Sequence, residues 1–108
     1  MNKVMLENGV VIEKCTPELV ENVASTPDVS VMRVGKGQAI VEHKHGNSMY
    51  FAKNVLALTI KGVAHRLPKF SWVFIPKGVP HGWKSVQSSS TKGEIFSYHP
   101  NHKKYTIA

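Results

Sequence analysis

The sequence IPKGVPHGW, residues 75–83, places one histidine directly after a turn that contains two prolines and a glycine. The residues just before it, 72–75, are apolar and rich in types that favour β-strands. Proline fixes one backbone angle, so a turn bounded by Pro76 and Pro80 has few conformations to lose on folding. The stretch therefore predicts a strand, a rigid turn and one precisely placed imidazole, that of His81.

Two more histidines lie earlier, in the alternating segment 38–45. Side chains two residues apart share one face of a strand. The alternation therefore predicts that His43 and His45 point to the same side, together with Val41. Glu42 is predicted to point to the other side. The segment is thus expected to present a pair of imidazoles on one face of a strand.

Together these two stretches resemble the two signature motifs of the cupin superfamily, whose members are small β-barrels that often bind one metal ion. The resemblance covers residues 29–98 and implies an all-β, cupin-like jelly-roll β-barrel, here with one short N-terminal helix. It does not identify a reaction. The residues that match the two motifs are, in chain order, Gly37, His43, His45, Pro76, Gly78 and His81.

The chain departs from the family pattern at three places. The family usually has a metal-binding Glu four or five residues after the second histidine, where this chain has Met49 and Tyr50. The second motif usually opens with Gly, where Phe70 stands, and often closes with Asn, where Ser85 stands.

The resemblance implies that His43, His45 and His81 bind one divalent transition metal. Imidazole suits Fe, Ni, Zn or Mn better than Mg or Ca. Three neutral ligands leave the full charge of the ion in place, so its open positions favour a small, anionic molecule. The alternative is that the three histidines are hydrogen-bonded polar residues in a pocket that has lost its metal.

Four further residues are candidates for lining the same pocket: Met49, Tyr50, His65 and Trp83. Tyr50 stands where the family has its Glu, so it could reach the metal or act as an acid; ordinary packing in the barrel is the alternative. Trp83 lies two residues after His81, so on a strand the two side chains would share one face. No residue stands out as a general base, so the sequence leaves open whether the chain is an enzyme.

The organisation along the chain is that of one domain, residues 1–108, with an N-terminal hairpin and helix over 1–28, a barrel over 29–98 and a tail over 99–108. Asn8-Gly9 predicts a hairpin turn between strands 3–6 and 10–13. Thr16 and Pro17 predict the start of a helix over 17–24, whose apolar side chains are expected to cap an open end of the barrel. About nine strands are predicted; those of the barrel are 29–34, 38–45, 49–52, 55–60, 63–67, 71–75, 81–86 and 94–98.

The net charge of +7 lies entirely in the second half of the chain, where eight Lys and Arg residues face one acid. Apart from the pair Lys103-Lys104 these cations are spread singly, which indicates a solvated basic surface or attraction of small anions, and nucleic acid is not the expected partner. No stretch is long and apolar enough to span a membrane, and no signal peptide is apparent. With Cys15 as the only cysteine, a cytoplasmic location is expected.

Two functions follow as hypotheses. The first is a metal-binding small cupin that acts on a small anionic molecule through the three histidines. The resemblance implies a dioxygenase-like reaction as one form of this activity, beside isomerase and lyase reactions, and does not choose among them. The second is a non-enzymatic ligand-binding or sensor cupin with a degenerate metal site. In either case a homodimer is expected, formed through the N-terminal hairpin of residues 3–13.

Overall fold

Ten β-strands and one helix form among the residues that the computed structural model describes, which are 3–6, 8–35, 38–43, 46, 48–54, 56–86 and 93–98. The side chain of His43 also lies outside this description. In chain order the elements are β1 (Lys3–Met5), β2 (Val11–Lys14), α1 (Pro17–Ala24), β3 (Val29–Val34), β4 (Ala39–His43), β5 (Ser48–Ala52), β6 (Leu56–Ile60), β7 (Val63–Leu67), β8 (Ser71–Ile75), β9 (His81–Ser85) and β10 (Gly93–Tyr98).

The strands form two antiparallel sheets that pack face to face. The larger sheet has the order β1-β2-β8-β5-β10-β3, and the smaller has the order β4-β9-β6-β7. Apolar side chains from both sheets, among them Ile75, Ile95, Leu58 and Trp83, form one buried core between them. The predicted all-β jelly roll with one short helix is confirmed.

The N-terminal hairpin belongs to the larger sheet. Gly9 adopts a positive φ of 89°, and the side chain of Asn8 accepts a hydrogen bond from the Val10 amide at 3.2 Å. Beyond the turn, β2 pairs with β8. The hairpin therefore extends the sheet, contrary to the expectation that it lies outside the barrel. The homodimer stays a prediction; β1 is an edge strand on which Val4 and Met5 are 51% and 69% exposed.

Helix α1 has the predicted bounds but not the predicted position. The Thr16 side chain accepts a hydrogen bond from the Leu19 amide at 3.1 Å, as expected of an N-cap. Val20 is fully buried against Phe51 and Phe96 on the outer face of the larger sheet. The helix covers this face, and does not cap an end of the barrel, because these aromatic rings present an apolar surface there. Within the described part of the chain, no helix has the length and apolar character needed to cross a membrane.

A β-bulge in β4 changes which side chains face the core. Ile40 pairs with Trp83 and His43 pairs with His81, so three steps along β4 match two along β9. Because the bulge adds one residue, the side chains that precede it face the opposite way from the one that regular alternation up to His43 would give. Ile40 packs against the core, whereas Val41 is 81% exposed. The regular alternation predicted for residues 38–45 is therefore interrupted at the bulge.

Glu42, next to the bulge, holds the turn between β6 and β7. Its two carboxylate oxygens accept hydrogen bonds from the amides of Lys61, at 3.1 Å, and Gly62, at 2.8 Å. Both turn residues have positive φ, 51° and 78°, as a two-residue hairpin turn requires. The carboxylate thus joins β4 to the far end of its own sheet.

Replacing Glu42 with alanine is expected to lower the free energy of unfolding by about 1–2 kcal/mol, because two hydrogen bonds to a charged group are lost at a partly exposed site. Glu42→Gln, which keeps one oxygen, should lose about half as much. Urea denaturation of the three proteins measures the difference. Equal midpoints for all three would show that the carboxylate does not stabilise the turn.

Candidate functional site

His81 directly follows the turn after β8, and its side chain is buried, with 1% of it exposed. Gly78 has a positive φ of 82°, and the Val79 amide donates to the Pro76 carbonyl at 3.3 Å. The Val79 carbonyl lies 2.9 Å from Nδ1 of His81. Because a carbonyl oxygen can only accept a hydrogen bond, Nδ1 carries a proton and the ring orientation is fixed.

Tyr50 reaches His81 from the opposite sheet. Its phenol oxygen lies 3.0 Å from Nε2 of His81, and the side chain is 3% exposed. In a neutral imidazole protonated at Nδ1, Nε2 accepts this hydrogen bond and the phenol donates it. Burial raises the pKa of Tyr50 and outweighs a hydrogen bond to Ser48 that lowers it, so the phenol keeps its proton at neutral pH.

Trp83 completes a buried aromatic cluster with these two residues. The centre of its ring lies 5.0 Å from that of Tyr50 and 6.1 Å from that of His81, both in edge-to-face orientation. The indole is fully buried, and its Nε1 has no hydrogen-bond partner among the residues described. Tyr50, His81 and Trp83, three residues singled out from the sequence, are thus brought together.

Met49 lies away from this aromatic cluster. It is adjacent to Tyr50 on β5 and therefore on the opposite face of the strand, where it packs with Val20 and Phe51 under helix α1.

His65 also lies apart from the aromatic cluster. It pairs with Leu58 on β6, and Leu58 pairs with Trp83 on β9, so the buried leucine stands between the two. His65 instead faces a cavity of about 430 Å³ beside the N-terminal hairpin. The other residues that line this cavity are Met5, Leu6, Asn8, Ile60, Lys61 and Val63.

The remaining predicted ligands are His43 and His45. The backbone of His43 lies directly opposite His81 on the neighbouring strand. The side chain of His43 and the whole of His45 lie outside the described residues. Within the described residues no three His, Cys, Asp or Glu side chains form a metal-binding group. The three-histidine set therefore stays a prediction.

Cys15 takes no part in the aromatic cluster and packs near helix α1 on the outer face. Burial raises the pKa of its thiol, and the nearby Glu13 carboxylate raises it further. The thiol is therefore protonated at neutral pH and a poor nucleophile.

Two features of the site were not predicted from the sequence: the Val79 carbonyl that orients His81, and the hydrogen bond between Tyr50 and His81. The first depends on the backbone conformation of the turn, for which the sequence holds no separate signal. The second had a signal, because Tyr50 occupies a position where the family pattern places a metal ligand.

No family model matches the sequence, and no curated protein matches it at a significant level. Solved structures do match. A conserved protein of unknown function from Streptococcus pyogenes superposes with a TM-score of 0.51 at 18% identity, over 91% of this chain and 81% of that one. A mutant of the salicylate 1,2-dioxygenase from Pseudoaminobacter salicylatoxidans superposes with a TM-score of 0.50 at 15% identity, over 76% of this chain.

The chain spans about a third of that dioxygenase, 31% of its length. KdgF from Halomonas sp. superposes with a TM-score of 0.47 at 16% identity, over 95% of this chain and 93% of that one. At such low identity the similarities to the first two structures show the fold alone. The chain therefore shares with these two proteins a fold of two packed antiparallel β-sheets, the kind of architecture that the resemblance of the two sequence motifs implied.

Proposed function

We propose that this chain is a small metal-binding cupin, in which His43, His45 and His81 hold one divalent transition metal and a small anionic molecule binds to that ion. The observation that carries the proposal is the setting of His81. Its Nδ1 donates to the Val79 carbonyl at 2.9 Å, and its Nε2 is directed into the buried space between the sheets. A histidine that ligates a metal through one nitrogen almost always has its other nitrogen held in this way.

The sheet register supports a role for the histidine pair. His43 is the direct partner of His81 across β4 and β9. Directly opposed residues of antiparallel strands have Cβ atoms about 4.5–5.5 Å apart, close enough for both side chains to bind one ion. His45 follows two residues later in the sequence, with the spacing of a second ligand on the same face.

An anionic ligand is supported by charge. Three neutral imidazoles leave a divalent ion with its full charge, so a carboxylate would bind well at its open positions. The net charge of +7 would also attract small anions to the protein. The structurally similar dioxygenase is named for salicylate, itself a small carboxylate. When bound, the metal would polarise or orient this molecule, and a dioxygenase-like reaction is the enzymatic form of the proposal.

A second candidate is a non-enzymatic ligand-binding or sensor cupin without a metal. The observation that favours it is that Nε2 of His81 already has a partner, the Tyr50 phenol at 3.0 Å. In this alternative the histidines serve as hydrogen-bonding groups, as His81 does with Tyr50, and the chain binds an organic ligand without a metal.

Metal content measured by elemental analysis, on protein purified without an affinity tag, tests the proposal. We expect about one equivalent of Fe, Ni, Zn or Mn in the wild type and little in His81→Ala, because three ligands are few enough that losing one is costly. His65→Ala is the matched control, since this imidazole faces a different cavity, and it should keep the metal. No metal in any of the three, even after reconstitution, would favour the metal-free alternative.

A further inference from the structure

The cavity of about 430 Å³ beside the N-terminal hairpin lies where the edges of the two sheets meet. β1 is an edge strand of the larger sheet, and β7 is an edge strand of the smaller one. Met5 and Leu6 line the cavity from the hairpin, and Val63 and His65 line it from β7. Its volume is within the range of about 300–1,000 Å³ that is usual for sites that bind small molecules.

Ile60 separates this cavity from the buried histidine. Thr59 of β6 pairs with Gly82 of β9, so the next residue, Ile60, stands beside His81 on the neighbouring strand. The isoleucine is 4% exposed, belongs to the core and also lines the cavity. The cavity is therefore distinct from the proposed metal site, with a buried apolar side chain between them.

The lining of the cavity combines an apolar wall with a few polar groups. Lys61 is the only permanently charged side chain among the described lining residues, while Asn8 and the half-buried His65 add hydrogen-bonding groups. An ammonium group only donates hydrogen bonds, so its best partner in a ligand is an anionic acceptor. The apolar wall consists of Met5, Leu6, Ile60 and Val63.

The backbone that carries Lys61 is fixed, whereas its ammonium group is free to bind a ligand. The Glu42 carboxylate accepts hydrogen bonds from the amides of Lys61 and Gly62, at 3.1 and 2.8 Å, and so holds the turn. Among the residues that the structure describes, no acidic side chain forms an ion pair with the Lys61 ammonium group. A charged group on a backbone that is already ordered loses less entropy when it binds a ligand.

We infer that this cavity binds a small organic anion with an apolar body, such as an aromatic carboxylate. The carboxylate binds at Lys61 and His65, and the apolar body packs against the wall formed by Met5, Leu6, Ile60 and Val63. A neutral molecule of the same shape lacks the charge interaction, and a cation is repelled. The site requires no metal, so it does not depend on the proposed metal centre.

Benzoate, benzamide and benzamidine are suitable probes, because they have nearly the same shape and are negative, neutral and positive. Each is titrated into the ¹⁵N-labelled full chain, in the presence and absence of a chelator, and the amide NMR signals are followed. We expect benzoate to shift the signals of Leu6, Lys61 and Val63, on both sides of the cavity, with a dissociation constant on the order of 1 mM. Benzamide should bind about three- to fivefold more weakly, and benzamidine more weakly still.

Lys61→Met removes the ammonium group and keeps most of the apolar stem. This variant should bind benzoate about three- to fivefold more weakly than the wild type and benzamide equally well. Lys84→Met is the matched control, since it lowers the net charge by the same amount. Lys84 is exposed and follows Trp83 on β9, so it lies on the opposite face from the core and away from the cavity. It should bind benzoate like the wild type.

Several results would overturn the inference. Equal binding of the three probes, or an equal loss of benzoate affinity in both lysine variants, would show that the cavity does not select anions. Benzoate shifts that vanish with the chelator would place the anion at the metal and support the proposed function alone. Cavity signals that shift on dilution of the protein and ignore benzoate would show that a second copy of the chain covers the cavity.

Discussion

Replacing Gly82 with alanine is expected to destabilise the protein by about 2–3 kcal/mol and to force β4 away from β9. A Cβ atom at this position would overlap the Ile40 carbonyl oxygen and lie 3.0 Å from the Glu42 amide nitrogen. Both are backbone atoms of β4 at the bulge, so neither can rotate out of the way. Since β4 carries His43, the variant should also disturb the proposed metal site.

Urea denaturation measures the loss of stability, and Gly46→Ala is its control. A Cβ atom at Gly46 would meet nothing within 4 Å, so this variant should match the wild type within about 0.5 kcal/mol. A Gly82→Ala protein as stable as the wild type would show that β4 does not approach β9 this closely.

The second large effect is expected at Trp83. Truncation to alanine should cost about 3–5 kcal/mol, because it empties a fully buried position between the two sheets. Phenylalanine should cost much less, about 1–2 kcal/mol. It keeps most of the ring and removes an N–H group that is buried without a partner among the described residues, and that removal is itself favourable.

Guanidinium denaturation of the two variants, with Trp72→Phe as the control for loss of an indole, separates these contributions. Trp72 packs on the outer face beneath helix α1 and is only partly buried. If Trp83→Phe proved as damaging as Trp83→Ala, then the indole N–H must have a hydrogen-bond partner and would be an anchoring group of the site.

The sequence predicted best where the local signals were strongest. Thr16 and Pro17 predicted the start of helix α1, and Pro76 marks the end of strand β8 as expected. The bulge in β4 could not be predicted, because Ile40 and Val41 are both apolar and either could face the core. Its cause lies in a distant strand, where Gly82 allows the β4 backbone to approach.

For the site, motif spacing predicted where His81 would stand and that Tyr50 was a candidate neighbour. Motif spacing could not predict whether Met49 or Tyr50 faces the core. Adjacent residues of a strand point to opposite faces, and the spacing does not show which face of β5 is the inner one. His65 lies two residues from the buried Leu67 on β7, so the two side chains share one face of the strand. The face of a strand does not determine where that strand lies in the sheet. Here Leu58, on the strand between them, separates His65 from Trp83 and the aromatic cluster.

The position of β10 has a consequence for the newly synthesised chain. This strand is the last that the structure describes, yet it lies between β5 and β3 in the larger sheet, with Tyr98 paired to Val29. Until residues 93–98 leave the ribosome, β3 has no partner in that sheet and β5 has an open edge. Unpaired strand edges promote association between chains. Translation speed and chaperone availability should therefore govern the yield of folded protein more than they would for a sheet completed early.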